Sequence, residues 1–485
     1  MTSLKKEMIN GVMWTSIAKY SGLVISLIIT MILARILTPQ EFGVVAIATV
    51  IITFLSMLCQ MGIGPAIIQF KDLTTDDLDD IFSFSFYVGL LLALFFFFGS
   101  WSIASFYNVE QLVDVCQILS INVFFSAINM VPNALMFKDK RFKENAIRTL
   151  ILQVLTGVIS VTAAFIGFGL YALLITPVFT AIGMFLYNRH FYPVQLKLFF
   201  SLKPILRIFS YSSYEFLFEF FNYFSRNLDK LIIGRYLSAV ELGYYEKSYS
   251  LMQLPMSNVP VVINPVLQPV LKDLHNQKEL LADKYLKITR LIAIISFPIG
   301  FIFWGMADEI IYVFFGNQWT PAAGTLAILS LSLPLQMIQS TSGAIFLICS
   351  ETKKQFYVGI RNTITTVVSF IIAAFFFKSI EAIAWAWTIS LLINFVITYS
   401  IIYRYVLNVK IVSFFTILQK PLLIGLILGV FFYLFNFYTS IENKYLLLII
   451  KGISSLLLAI VFIHLFKLLN VYYLLHKVLA KFIYK

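Results

Sequence analysis

The chain has 485 residues, of which 60% are hydrophobic, 16% aromatic and only 12% charged, with a mean hydropathy of +0.88. A soluble domain carries roughly 25% charged residues, so a soluble globule, a disordered chain and a nucleic-acid-binding protein are excluded and a polytopic membrane protein remains. The 36 Lys and Arg exceed the 24 Asp and Glu to give a net charge of +12, which basic cytoplasmic loops account for.

A membrane helix needs about 20 apolar residues. Fourteen such segments follow one another, at 11–33, 42–64, 81–104, 112–136, 146–168, 170–188, 207–233, 241–265, 289–315, 324–349, 356–377, 380–403, 417–438 and 445–469. The apolar run after MTSLKKEMIN passes Leu33, too long for the apolar region of a cleavable signal. The fifth and sixth segments are parted only by Gly167-Phe168-Gly169, and the seventh is unusually polar. Between them and the second half, FYPVQLKLFFSLKPIL at 191–206 mixes Lys197 and Lys203 with Phe and Leu, the pattern of a segment lying in the membrane interface. With the N-terminus in the cytoplasm, about three-quarters of the Lys and Arg fall on the cytoplasmic side, which places both termini inside. The loop after the second segment breaks the pattern, because Lys71 is accompanied by Asp72, Asp76, Asp77, Asp79 and Asp80. Cys59, Cys116 and Cys349 lie far apart in apolar runs and read as small buried hydrophobes. Neither they nor the His residues make a metal-ligand spacing.

The chain repeats itself at an offset of 200. ARILTPQEFG at 34–43 answers GRYLSAVELG at 234–243, pairing Arg35 with Arg235, Leu37 with Leu237, Glu41 with Glu241 and Gly43 with Gly243, and Thr38 with the similar Ser238. Ile32, Ile63 and Pro65 match Ile232, Ile263 and Pro265 in the same register. The repeat joins segments 1 and 2 to segments 7 and 8. Both halves therefore have the same orientation, and repeats of this kind build transporters with a substrate path between the halves. The expected organisation is an N-terminal six-helix bundle with a cytoplasmic linker at 1–206, a second six-helix bundle at 207–405, and two extra helices with a basic tail at 406–485.

Charges within a membrane segment are expensive and usually face a cavity or a partner. In the seventh segment Glu215, Glu219, Asn222 and Arg226 recur on one helix face, and Asp229 and Lys230 continue it. The repeat brings Thr15, Lys19, Gly22 and Ser26 into the same register in the first segment. Two polar stripes facing one cavity is one reading, a Lys19–Glu219 ion pair that merely locks the halves together is another, and a shifted segment boundary with the charges reaching to the interface is the third. Pro255, Pro260 and Pro265, with Pro269, interrupt the eighth segment and mark it as a gating candidate, since proline bends a helix. Asn122, Asn129, Gln336, Gln339, Arg361 and Asn362 are further cavity candidates, for which an interhelical hydrogen bond is the plainer reading. A GxxxxGK[ST] loop, an HExxH and a CxxC are all absent, so the sequence carries no ATPase loop and no such metal motif.

Trp14, LARILTPQEFGVVAIATVI, LCQMGIGPAIIQ, RNLDKLIIGRYLSAVELGYYEKSYSLMQLP and MADEIIYVFFGNQWTPAAGTLAILSL together resemble the polysaccharide transporter family, the Wzx-type O-antigen and exopolysaccharide flippases. These belong to the multidrug/oligosaccharidyl-lipid/polysaccharide flippase superfamily, and the resemblance covers about residues 5–405. It implies an all-α, V-shaped transporter of two six-helix bundles with two appended C-terminal helices, in the bacterial inner membrane. It implies a non-enzymatic flippase that moves an undecaprenyl-pyrophosphate-linked oligosaccharide by alternating access, beside the polymerase and glycosyltransferases of the same pathway. It implies no cofactor, with a proton or sodium gradient as the energy source to be tested. Lys19 and Arg226 would serve the pyrophosphate, and Glu215 and Glu219 depart from a purely cationic cavity. A cation-coupled multidrug antiporter of related architecture, a lipid II flippase and a membrane-embedded polymerase or ligase are the alternatives.

Overall fold

Among the described residues each of the fourteen apolar segments is largely helical, and no strand occurs. The computed structural model describes residues 2–60, 62–439 and 441–468, with the side chains of 2–10, 60, 209–219, 221, 222, 224, 225 and 261–266 outside the description. The first half of the helices comprises α1 (Thr2–Ile36), α2 (Pro39–Gln60), α3 (Ile63–Gln69), α4 (Thr75–Tyr107), α5 (Leu112–Ile128), α6 (Met130–Lys138), α7 (Phe142–Ile166), α8 (Tyr171–Phe191) and α9 (Lys203–Tyr236). The second comprises α10 (Ala239–Leu271), α11 (Lys278–Gly305), α12 (Ala307–Phe315), α13 (Ala322–Ser330), α14 (Leu333–Gln339), α15 (Ser342–Ile348), α16 (Thr352–Ile372), α17 (Ile380–Ile401), α18 (Val412–Tyr438) and α19 (Lys444–Leu465).

Among the described residues ten helices are long and apolar enough to cross a bilayer, or up to 12 if each of two bent pairs is one span. The bent pairs are α5 with α6, at 42°, and α13 with α14–α15, at 45°. The segments expected at 112–136 and 324–349 are therefore broken, and the one at 289–315 parts at Gly305–Met306 into α11 and α12. The remaining two of the fourteen expected spans fall in α9 and α10, which are 34 and 33 residues long and each include side chains outside the description. The apolar faces support the membrane reading. On α4 Leu91, Leu94, Phe95, Phe98 and Trp101 are exposed along one stripe, and on α19 Ile449, Ile453, Leu456, Leu457 and Ile460 do the same. Apolar surfaces on this scale are not left facing water.

The chain divides into two compact units, residues 1–243 and 244–485. The repeat suggests a division at 206/207. The packing boundary falls later because α9 lies against α2, α3 and α4. In the first unit α4 packs along α5, α1 along α7, and α8 against both α5 and α7. α7 stops at Gly167, whose φ of 94° is the left-handed cap that lets the chain turn into α8.

The repeat has a local physical basis. Thr38 caps α2. Its hydroxyl accepts from the Glu41 N–H (3.3 Å), while the Glu41 carboxylate accepts from the Thr38 N–H (2.7 Å) and hydroxyl (2.9 Å), a capping box with Pro39 at the first helical position. Ser238 caps α10 in the same manner, accepting from the Glu241 N–H at 3.1 Å. The repeated glycines meet across this pair of caps. A Cβ at Gly43 would overlap the carbonyl oxygen of Ala239, and a Cβ at Gly243 would overlap that of Pro39. Pro39 and Ala239 are themselves repeat equivalents, so the contact is symmetric under the repeat.

The acidic loop that broke the charge pattern is a clamp for the interfacial segment. Residues 192–202 contain no regular helix, and their chain is pinned by the aspartates. The Lys197 ammonium lies 2.7 Å from both Asp76 and Asp80, the Gln195 N–H donates to Asp79 (2.8 Å), and Arg207 pairs with Asp72 at 2.6 Å. Asp77 completes a capping box with Thr74 at the start of α4. Hydrogen bonding from Arg207 holds the Asp72 carboxyl below its usual range, and hydrogen bonds to Asp76 and Asp80 raise the Lys197 ammonium. Leu198 and Phe199 project outward from the clamped segment, as an interfacial anchor requires.

In the second unit α18 packs along α11, α16 along α17, and α19 against α12 and α18. The break between α14 and α15 frees backbone groups that a membrane helix must satisfy internally. Here the Ile338 carbonyl accepts from the hydroxyls of Thr341 (2.7 Å) and Tyr399 (2.8 Å). Tyr285 joins the same cluster through Thr341 (2.8 Å) and Tyr399 (3.0 Å), and Phe414 stacks on Tyr399.

Candidate substrate cavity

A cavity of about 640 Å³ opens in the first unit between the α2–α3 corner, the α5–α6 bend and α8. Its polar lining consists of Asn122, Ser126, Asn129, Asn133, Thr176 and Thr180, with Met57, Ile68, Phe137 and Met184 among the apolar residues. Among the described residues none of those lining it is charged. The bend between α5 and α6 at Asn129 places Asn129 and Asn133 on the same wall.

Behind that wall lies Arg148 of α7, only 3% exposed. One terminal nitrogen donates to Asn188 and the other to Asn145, and both reach the Asn133 oxygen at 3.4 and 3.5 Å. The Asn188 amide in turn donates to Asn129 at 2.8 Å. A buried cation is expensive unless its donors are satisfied. Here three asparagine side chains, Asn133, Asn145 and Asn188, accept from its terminal nitrogens without a carboxylate, and the buried Arg148 Nε finds no partner among the described residues. Elsewhere in the lining the Asn122 amide donates to the Pro177 carbonyl (2.7 Å), and Thr180 meets Thr156 at 3.3 Å.

The residues expected to carry function are distributed as follows. Lys19 on α1 and Arg226 on α9 are exposed, and the Lys19 ammonium lies 5.9 Å from the centroid of the Tyr20 ring. Asp229 is buried, and its carboxylate accepts from the backbone N–H of half-buried Lys230 at 2.8 Å. The side chains of Glu215, Glu219 and Asn222 lie outside the described residues. Pro255 and Pro260 sit inside an α10 that continues as helix to Leu271, and the side chain of Pro265 is outside the description. Of the further candidates, Asn122 and Asn129 line the cavity. Arg361 and Asn362 instead join Asn394 and Thr398 of α17 in a separate network, and Gln336 bonds Ser332 within its own helical turn.

Arg148, Asn133 and Asn188 were not among the expected site residues. The signal was present: each is a polar residue within or at the edge of an apolar run. A second cavity of about 460 Å³ in the other unit is lined by Asp308, Glu309, Asn436, Thr439 and Lys451 among others. The Lys451 ammonium is 2.5 Å from Glu309, with side chains 3% and 7% exposed, and Lys444 approaches Asp308 at 3.5 Å. The second Glu309 oxygen is buried and finds no partner among the described residues. Among the described residues no group of His, Cys, Asp and Glu is arranged to hold a metal.

The sequence profile of the polysaccharide biosynthesis protein family matches residues 32–324, more than half of the chain. The chain belongs to this family. As a member it is similar to the teichuronic acid biosynthesis protein TuaB of Bacillus subtilis (strain 168), with 25% identity over 435 residues and 89% of each chain covered. It is similar to the succinoglycan biosynthesis transport protein ExoT of Rhizobium meliloti (strain 1021), with 25% identity over 331 residues, 67% of this chain and 66% of that one. Its fold is that of the lipid II flippase MurJ in an inward closed conformation, at a TM-score of 0.74 and 14% identity over 94% of this chain and 98% of that one. This polysaccharide biosynthesis protein is thus a multi-pass membrane protein with a flippase-type helical fold.

Within such a fold, the first-unit cavity offers amides and hydroxyls, groups that hydrogen-bond polyols without demanding a charge. Its volume lies within the range of about 300–1,000 Å³ usual for small-molecule sites.

Proposed function

We propose that this protein flips undecaprenyl-pyrophosphate-linked oligosaccharide repeat units across the bacterial inner membrane for surface polysaccharide synthesis. The observation that carries the reading is an amide- and hydroxyl-lined cavity, with no charged lining among the described residues, inside a membrane-helix unit of a polysaccharide biosynthesis family member. A cation antiporter would be expected to place acidic groups in that lining.

In the proposed cycle no covalent bond is made or broken. The charge bias puts both termini and the acidic clamp on the cytoplasmic side. The Gly62 and Phe137 ends of the cavity, next to the α2–α3 and α6–α7 corners, then face the leaflet on which the lipid-linked unit is assembled. Lys19 and Arg226 attract the pyrophosphate. Arginine is suited to this because its planar fork pairs phosphate oxygens two at a time. The prenyl chain stays in lipid while alternating access exposes the glycan outside, driven by a proton or sodium gradient, and the polymerase of the pathway takes over the product. Arg226→Ala is expected to abolish surface polymer while the protein level is unchanged, scored by polymer analysis and immunoblotting of the same cells. Normal export in that variant would remove Arg226 from the mechanism.

A further inference from the structure

Arg148 has only hydrogen-bond donors, so every asparagine it engages must turn its oxygen inward. Asn133 gives its oxygen to Arg148 and Asn188, and Asn129 gives its oxygen to Asn188. Both line the cavity, and neither amide nitrogen has a hydrogen bond to any described residue or is buried without one. The Arg148 hub thereby fixes the polarity of the wall, with two N–H₂ groups available to the cavity. Asn122 is set the opposite way, because its nitrogen is spent on the Pro177 carbonyl, leaving its oxygen as an acceptor.

We infer that this cavity is a sugar subsite for an uncharged ring. Asn129 and Asn133 donate to ring-substituent oxygens, such as an acetamido carbonyl, and Asn122 accepts from a hydroxyl. Arg148 is a positioning residue that sets the direction of the amides without touching the sugar. The inference rests on the flippase reading and adds to it where the glycan sits. A phosphate is a poorer fit, since the terminal nitrogens of the nearby cation are already bonded to asparagine oxygens and no charged residue among those described lines the space. An organic cation is a poorer fit, since the wall held by Arg148 presents donors.

The test uses the full-length protein in detergent, with methyl N-acetyl-β-D-glucosaminide and methyl β-D-glucosaminide as neutral and cationic probes, read by saturation-transfer NMR. The wild type is expected to prefer the acetamido sugar. Asn133→Asp keeps an oxygen on Arg148 and replaces the cavity donor by an acceptor, so the chain still folds. It is expected to weaken the acetamido sugar by about tenfold, the loss of one good hydrogen bond, and to shift the preference to the amino sugar. A variant that was merely less stable would lose both sugars together. Thr176→Val is expected to weaken binding without reversing the preference. Equal binding of both sugars by wild type and Asn133→Asp, or no transfer to either, would overturn the inference. In cells, a deletion strain that accumulates the lipid-linked unit and is fully restored by Asn133→Asp would reject the subsite and leave the flippase reading standing. A deletion strain that accumulates no such lipid would reject the flippase reading, whereas the sugar-preference shift would still stand for the cavity.

Discussion

Replacing Lys451 by methionine is expected to lower the stability of the folded protein by about 3–5 kcal/mol, the usual cost of removing one partner from a buried ion pair. Lys451 and Glu309 are 3% and 7% exposed and 2.5 Å apart, and the second Glu309 oxygen is already buried without a partner among the described residues. The variant would leave the whole carboxylate in that state. The pair joins α19 to α12, so the loss should fall on the docking of the last helix. Thermal unfolding of the full chain in detergent would read it as a lowered melting temperature. The double variant Glu309→Leu, Lys451→Met should recover most of the loss, because a well-packed apolar pair often equals or exceeds a buried ion pair in stability. An unchanged melting temperature in Lys451→Met would show that the pair contributes nothing to holding α19.

The second large effect is expected at Gly43. A glycine inside a helix is ordinarily improved by alanine, by roughly 0.5–1 kcal/mol. At Gly43 the sign should invert, because the new Cβ would overlap the Ala239 carbonyl oxygen, a backbone atom that no rotamer change can move. Gly43→Val should cost at least the roughly 1–3 kcal/mol typical of overpacking and force the start of α2 away from the start of α10. Gly99 on α4 has nothing within 4 Å of the place its Cβ would take, so Gly99→Ala is the matched control and should be neutral or stabilising. Melting curves of the variants decide the matter, and a Gly43→Val protein as stable as Gly99→Ala would contradict the close approach.

What could be read from the sequence follows from which signals are local. Helix positions were legible because apolar runs of membrane length leave few alternatives. The T/S-x-x-E pattern at Thr38 and Ser238 was legible as a repeat, and its cause is a capping box, which depends on four consecutive residues. The reason for Gly43 and Gly243 was not legible, because it lies in two backbones that meet only in the folded chain. The helix breaks at Asn129, at Gly305–Met306 and between α13 and α15 fall inside continuous apolar runs, where composition does not change. Arg148 follows Lys138, Lys140, Arg141 and Lys143, so by sequence it reads as one more basic residue at a loop end, and only packing shows it buried among asparagines. Lys451 stands alone in YLLLIIKGISSLLLAIVFIHL, a signal of a buried partner that could have been used. The five aspartates at 72–80 looked like an exception to the charge rule. Four of them, Asp72, Asp76, Asp79 and Asp80, anchor residues more than a hundred positions downstream, a relation that spacing does not carry, while Asp77 caps its own helix.

Whether the protein moves a completed lipid-linked glycan is decided by mass spectrometry of the lipid-linked oligosaccharides of a deletion strain, with surface polymer scored in the same cells. Flipping requires loss of polymer and accumulation of a full repeat unit on undecaprenyl pyrophosphate, with its glycan inaccessible from outside. Unchanged polymer with no accumulated lipid would contradict it.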